Sequence, residues 1–180
     1  NNGVVAFNRT GSSAYQGVIS GGGVLQHNGS GTLTLSGINT YSGGSSISAG
    51  TVIATQGAAL GSGLVTNNGL LQLAFAGNSQ LANVLTGSGD LTKSGSGIAT
   101  LTGLGSSQDA VSVDAGTLSF AQVGAFNANS LTTASNATTS LSASSSLNLS
   151  GALTQVGDSI LNVTLGSITP VITAGSASLS

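Results

Sequence analysis

The feature that most constrains this chain is a short phrase that recurs every 19 residues. The phrases Gly31-Thr-Leu-Thr-Leu, Gly50-Thr-Val-Ile-Ala and Gly69-Leu-Leu-Gln-Leu each begin with glycine and then largely alternate polar and apolar residues. Alternation with a period of two is typical of a β-strand with one buried face. Because the interval is constant, we expect equivalent residues to stack, with Leu33 under Val52 and Leu35 under Ala54.

The length of the interval indicates how these strands are connected. A parallel strand needs a connection of about a dozen residues to return to the same edge of a sheet. A 19-residue period leaves about 14 residues, too few for a packed helix and two loops. The intervening residues 36–49 are rich in turn formers and contain a second alternating piece at 46–49. We therefore predict an all-β parallel β-helix of roughly nine coils of ~19 residues, about 45 Å long.

A longer duplication supports a solenoid. Residues 19–52 align without a gap on residues 85–118, an offset of 66. Because 66 is not a multiple of 19, we predict extra residues in one coil, as a longer turn near 74–88. Glycines that precede strands are expected to turn corners with positive φ or to lie close to the neighbouring coil. Five asparagines are expected in turns, where this residue bonds locally: Asn39, Asn67, Asn68, Asn78 and Asn83.

Composition excludes several classes of function. The chain has two basic and four acidic residues among 180, and 39% of its residues are hydrophobic. Two cations cannot form a phosphate-binding stripe or a polybasic membrane patch, so we expect no nucleic-acid partner. The hydrophobic content argues against disorder, and no apolar run approaches the ~20 residues of a transmembrane helix. Cysteine is absent, which excludes disulfides and thiolate metal sites.

The few ionisable residues do not form a recognisable catalytic pattern. His27 is the single histidine, and its aligned counterpart is Lys93, so we interpret the position as an outward-facing, solvated strand residue. Asp109 and Asp114 are five residues apart, a spacing that places them on opposite faces of a continuous strand. We assign them, like Asp90 in the Gly-Ser-Gly-Asp sequence, to solubility and turns. We predict no catalytic, cofactor-binding or metal-binding residues and no enzymatic activity.

The aromatic residues and the chain ends complete this interpretation. Tyr41 and Phe120 are expected to pack in corners or in the core, because aromatic residues are too sparse for a sugar-stacking platform. Neither end resembles a natural terminus: no signal peptide begins at Asn1, and the last residues stop within an alternating pattern. We therefore expect the chain to be a fragment of a longer protein.

Residues 29–63 closely resemble the autotransporter-associated β-strand repeat. The repeat reads Gly-x-Gly-Thr-Leu-x-Leu-Ser/Thr-Gly-x-Asn-Thr-Tyr-Ser/Thr-Gly-Gly, followed by a short strand, Ala-Gly-Thr-Leu and a turn with Ala-Leu-Gly. A second copy at 95–122 keeps Gly97, Leu101, Gly103 and Ala115-Gly116-Thr117-Leu118 but lacks Asn-Thr-Tyr. Residues 147–180 resemble, more loosely, the autochaperone region that precedes the membrane barrel of such proteins.

The resemblance implies a division into a β-helical passenger stem, residues 1–146, and autochaperone-like C-terminal coils, residues 147–180. It also implies a right-handed β-helix at the surface of a Gram-negative bacterium, exported through the periplasm and outer membrane. The partner implied is the protein's own C-terminal outer-membrane barrel, which this chain lacks. We expect a structural stem that supports folding and display. The alternative is an adhesin or self-association module whose polar faces bind a host surface, matrix or a second copy.

Overall fold

Short parallel strands wind into a solenoid with three faces. The structure, a computed structural model, describes residues 1–121, 124–165 and 171–179. The first sheet contains β1 (Val4–Phe7), β3 (Val24–His27), β5 (Ser45–Ile47), β7 (Val65–Asn67) and β10 (Leu85–Thr86). The third contains β9 (Ser79–Leu81), β12 (Ile98–Leu101), β14 (Thr117–Phe120), β16 (Thr138–Leu141) and β19 (Ile160–Val163).

The second sheet runs the length of the rod. Its strands are β2 (Ser13–Tyr15), β4 (Thr32–Leu35), β6 (Thr51–Ala54), β8 (Leu70–Ala74), β11 (Asp90–Ser94), β13 (Ser107–Val113), β15 (Gly124–Thr133), β17 (Ser145–Leu149), β18 (Ala152–Gln155), β20 (Val171–Thr173) and β21 (Ser176–Leu179). A single 3-10 turn among the described residues, Gly57–Leu60, follows β6.

The strand register confirms the predicted stacking. Leu33 pairs with Val52 and Leu35 pairs with Ala54, both in parallel strands. The next coil continues this register, because Val52 pairs with Leu71. The predicted parallel β-helix is therefore the observed fold.

The coils are longer towards the C-terminus than the sequence interval predicts. The interval is 19 residues between Thr32 and Thr51, 22 between Thr138 and Ile160, and 25 between Leu147 and Ile172. The solenoid makes about 8 turns. The prediction of nine coils is therefore wrong, because it extended the shortest interval to the whole chain.

The predicted longer turn near residues 74–88 is also wrong. Leu71 pairs with Leu91, so the coil that contains this segment has an ordinary 20-residue length. The segment forms β9 on the third sheet and β10 on the first. The 66-residue offset of the duplication therefore has another cause, which depends on where the two copies lie.

A stack of aliphatic side chains fills the interior, one layer per coil. Each member pairs with the next along the second sheet and is at most 6% exposed. Full burial of one such side chain contributes roughly 1.5–3 kcal/mol, so each coil adds a comparable increment to the rod. The stack contains Leu33, Val52, Leu71, Leu91, Val111, Leu131 and Leu153.

Strands β13 and β15 are long because each bends around a corner of the rod. The first half of β15 pairs with β17, whereas Leu131 to Thr133 pair with β18. The start of β13 lies beside β10 of the first sheet: Ser106 Oγ, directly before β13, accepts the backbone N–H of Leu85 at 3.0 Å. Gln108 Nε2 also donates to the Thr86 carbonyl at 3.2 Å.

The glycines at the sheet corners behave as predicted. Gly50 and Gly116 precede β6 and β14 and have φ of 66° and 67°. A side chain on Gly116 would place its Cβ 2.5 Å from the carbonyl oxygens of Gly95 and Gly97 in the previous coil. Gly116 therefore combines both predicted reasons for a glycine: a positive φ and a close approach to the previous coil.

Candidate functional site

The carboxylates are dispersed over the surface. Asp90, Asp109, Asp114 and Asp158 are all exposed, as is Arg9. Asp90 Oδ1 accepts the backbone N–H of Ala110 at 3.1 Å, so this carboxylate caps a neighbouring coil. Within the described residues, no three histidine or acidic side chains lie close enough together to hold a metal ion.

His27 lies inside the rod, so the prediction of an outward-facing residue is wrong. It ends β3 and is 1% exposed, paired with Phe7 on one side and Ile47 on the other. Its Nε2 lies 3.1 Å from the Gly31 carbonyl oxygen, which assigns the proton to Nε2. Its Nδ1 is buried without a hydrogen-bond partner. His27 therefore holds the corner between β3 and β4.

Lys93, the counterpart of His27, is also buried and contradicts the same prediction. It pairs with Leu73 and Val113 and is 0% exposed. Its Nζ donates to the carbonyl oxygens of Ser94 at 2.7 Å, Gly95 at 2.8 Å and Ala115 at 3.1 Å. Burial lowers the pKa of the Lys93 ammonium from its ordinary value of 10.5. Both residues are thus nitrogen donors that satisfy backbone carbonyls at a corner.

Tyr41 and Phe120 pack in the interior, as predicted. Tyr41 is fully buried, and its hydroxyl lies 2.6 Å from Ser45 Oγ. Burial raises the pKa of Tyr41, and the hydrogen bond with Ser45 opposes part of that rise. Phe120 stacks edge-to-face on Phe126 with ring centroids 4.9 Å apart.

The five predicted turn asparagines bond between coils more than within turns. Asn39 is buried and bridges two coils, accepting the Ile19 N–H at 2.8 Å and donating to the Ala59 carbonyl at 2.6 Å. Asn67 ends β7, is buried, and donates to Gln108 Oε1 at 2.6 Å. None of the five adopts a positive φ, since Asn136 is the single non-glycine residue in the described part of the chain that does.

A row of exposed amide and hydroxyl side chains runs along the corner that follows the first sheet. Its members lie 20 residues apart, and we call it the corner ladder: Asn8, Asn28, Ser48, Asn68 and Ser88. Asn28 Nδ2 donates to Asn8 Oδ1, and Ser48 Oγ donates to Asn28 Oδ1, both at 3.1 Å. Sequence reasoning missed this row, although its 20-residue spacing is visible in the sequence. The row is an uncharged polar surface that repeats once per coil.

The comparison with protein families agrees with this architecture. The family model described as passenger-associated-transport-repeat matches residues 27–54 and 91–120, about a third of the chain. Two segments of the chain are thus similar to this repeat. The family model matches within both predicted copies, although each match begins a few residues earlier than predicted and the first ends at residue 54 instead of 63. Residue 122, the predicted end of the second copy, lies outside the described residues.

The repeats and the solenoid are consistent with an autotransporter passenger, and this repeat family implies export to the surface of Gram-negative bacteria. No curated protein and no solved structure matches the chain. The described part of the chain has no helix with the length and apolar character needed to cross a membrane.

The two repeats lie on different faces of the solenoid. In the first repeat β4 and β6 belong to the second sheet, whereas their counterparts β12 and β14 belong to the third. Likewise, β3 of the first sheet corresponds to β11 of the second. The 66-residue offset is thus three coils of 19 or 20 residues plus the eight residues that lead from β11 to β12 on the next face. The change of face therefore accounts for the offset that we had assigned to a longer turn near residues 74–88.

Proposed function

We propose that this chain is the β-helical stem of an autotransporter passenger and supports vectorial folding and display at the cell surface. The observation that carries the proposal is the continuous stack from Leu33 to Leu153 within a chain that holds two transport repeats. The stem has no catalytic role in this proposal, and its partner is the protein's own outer-membrane barrel.

The driving force would come from adding one coil at a time. Each coil presents a sheet edge of unpaired backbone groups on which the next can form. Residues between the strands also bond to the previous coil: the N–H of Gly31 donates to the Arg9 carbonyl at 3.1 Å and that of Ser36 to the Tyr15 carbonyl at 3.2 Å. A coil that has folded outside the membrane therefore favours folding of its neighbour, and burial of each leucine layer makes backward movement unfavourable.

Residues 147–180 would act as the autochaperone segment that folds first. Leu147, Leu149 and Leu153 are buried, and β20 and β21 pair with β17 and β18. These contacts support a local unit at the C-terminal end of the rod. Residues 166–170 and 180 of this segment lie outside the described residues.

The test is surface display of the full-length protein after deletion of residues 147–180. We expect less passenger on the cell surface and loss of its protease resistance. Leu153→Asn and Thr154→Asn form a matched pair of point variants in β18, because the first side chain is buried and the second is partly exposed. We expect reduced display for the first variant and normal display for the second. Unchanged, protease-resistant display after the deletion would refute the autochaperone role.

Adhesion or self-association is a second candidate function, favoured by the exposed, uncharged corner ladder. Side-chain amides and hydroxyls in register could bind a host surface, matrix or a second copy. Cells that display this rod on a barrel should then clump or bind matrix more than cells that display the barrel alone. Equal behaviour of the two kinds of cell would exclude this candidate.

A further inference from the structure

A shallow trough lies on the outside of the rod where β13, β15 and β17 follow one another. It encloses about 390 Å³. Its lining includes the outward side chains of Ser107, Asn127 and Asn148, which are in register in three successive coils. Ala128 and Leu149 also line it, and their side chains are buried, so they contribute mainly strand backbone as the floor. The trough is thus a repetitive surface with one unit per coil.

Hydrogen bonds between coils hold the polar side of the trough in place. Asn148 Nδ2 donates to Asn127 Oδ1, and Thr173 Oγ1 donates to Asn148 Oδ1, each at 3.2 Å. On the other side, Ser150 Oγ donates to Asn129 Oδ1 at 3.2 Å. The bond from Asn148 uses the amide oxygen of Asn127, and the Nδ2 of Asn127 has no hydrogen-bond partner among the described residues. This lining side chain therefore keeps an ordered amide donor for a ligand.

The chemistry of the trough favours a neutral ligand with many hydroxyl groups. All of its lining side chains are uncharged, and they combine amides, hydroxyls and a small apolar floor. No side chain of the lining could compensate a buried charge on a ligand. A peptide strand is disfavoured, because β13, β15 and β17 already pair with neighbouring strands in the ladder that an added strand would need.

We propose that the trough binds a neutral, extended oligosaccharide that lies along the rod axis with about one sugar unit per coil. Successive strands lie ~4.8 Å apart, a distance close to the length of one pyranose unit in an extended chain. Successive sugars would then face Ser107, Asn127 and Asn148 in turn, each with a polar group that can form a hydrogen bond. The inference does not depend on the stem function. A variant can lose surface display while the purified protein still binds the oligosaccharide, and it can keep display while binding is lost.

The experiment is calorimetric titration of the 180-residue chain with neutral oligosaccharides of glucose, mannose and N-acetylglucosamine, from one to six units. For at least one series we expect the affinity to rise with length through about three units, the number of coils that line the trough, and then to level off. A sulfated oligosaccharide of equal length should bind at least tenfold more weakly. In the unmodified protein, backbone NMR signals of Ser107, Asn127 and Asn148 should shift while that of Asn28 should not.

Matched asparagine variants test whether the trough is the site. Asn127→Ala should weaken binding about fivefold, the usual effect of one lost hydrogen bond, while Asn28→Ala in the corner ladder should bind like the parent. Circular dichroism of both variants checks that the fold is retained. Absence of binding in all three series at millimolar concentrations would overturn the proposal. The proposal would also be overturned by an affinity that does not change with oligosaccharide length. Equal losses of affinity in Asn127→Ala and Asn28→Ala, or NMR shifts outside the trough, would overturn it as well.

Discussion

Replacing Gly116 by alanine tests whether the corners are the tightest points of the solenoid. The residue has φ of 67°, and the left-handed region costs an alanine about 1–2 kcal/mol. The new Cβ would also lie 2.5 Å from the carbonyl oxygens of Gly95 and Gly97. Relief of this overlap requires movement of two coils, which typically costs about 1–3 kcal/mol. We expect Gly116→Ala to lower the free energy of unfolding by about 2–5 kcal/mol.

Gly77→Ala is the matched control for this substitution. A Cβ on Gly77 would meet nothing within 4 Å, and its φ is not positive. The added methyl group should then stabilise the fold by about 0.4–1 kcal/mol through the unfolded chain. Urea denaturation followed by far-UV circular dichroism measures both free energies. Equal changes for the two variants, or a loss below about 1 kcal/mol for Gly116→Ala, would refute the reasoning.

Three further predictions follow from the interior. In urea denaturation, Leu91→Ala should cost about 2–5 kcal/mol, whereas Thr92→Ala on the outward side should stay within about 0.5 kcal/mol; similar values would contradict the stacking. Asn39→Ala should cost about 1–3 kcal/mol in the same assay, because two buried backbone groups lose their partner. Since Lys93 has a lowered pKa, the unfolded chain binds its proton more tightly and stability should rise with pH. Lys93→Met should reduce the slope of the free energy of unfolding against pH. The slope is measured below pH 10.0, the ordinary pKa of Tyr41, so that ionisation of this tyrosine contributes little. An unchanged slope in the variant would exclude Lys93 as the source of the pH dependence.

The sequence was sufficient to predict the stacking of the central coils, because two independent signals coincide there. Alternation decides which side chains point inward, and the constant interval decides which of them meet. Leu33, Val52 and Leu71 satisfy both conditions, and their pairing follows directly. Towards the C-terminus the coil length changes from one turn to the next, so the interval is lost. The number of coils could therefore not be obtained from the repeat alone.

His27 and Lys93 show where residue type misled the interpretation. Alternation alone places His27 on the same side as Leu25, and Lys93 on the same side as Leu91, which is the buried side. The outward-facing prediction rested instead on the alignment of His27 with Lys93, since a position that accepts two different polar side chains is typical of a solvated surface. The carbonyl oxygens that satisfy Lys93 lie in two different coils. Such a set of acceptors exists only after the chain has folded and leaves no local sequence signal.

The placement of the two repeats on different faces indicates what a passenger-associated-transport repeat specifies. Its strands, corner glycines and inward nitrogen donor are reproduced in both copies, yet the strands belong to different sheets. The repeat therefore encodes a strand–corner–strand unit and not a position around the axis. This freedom is possible because each of the three sheets presents a column of buried apolar side chains to the same core, such as Leu25 on the first, Leu33 on the second and Leu118 on the third. A chain built from such units can change its coil length between copies without losing the stack, and the longer C-terminal coils of this rod make the same accommodation.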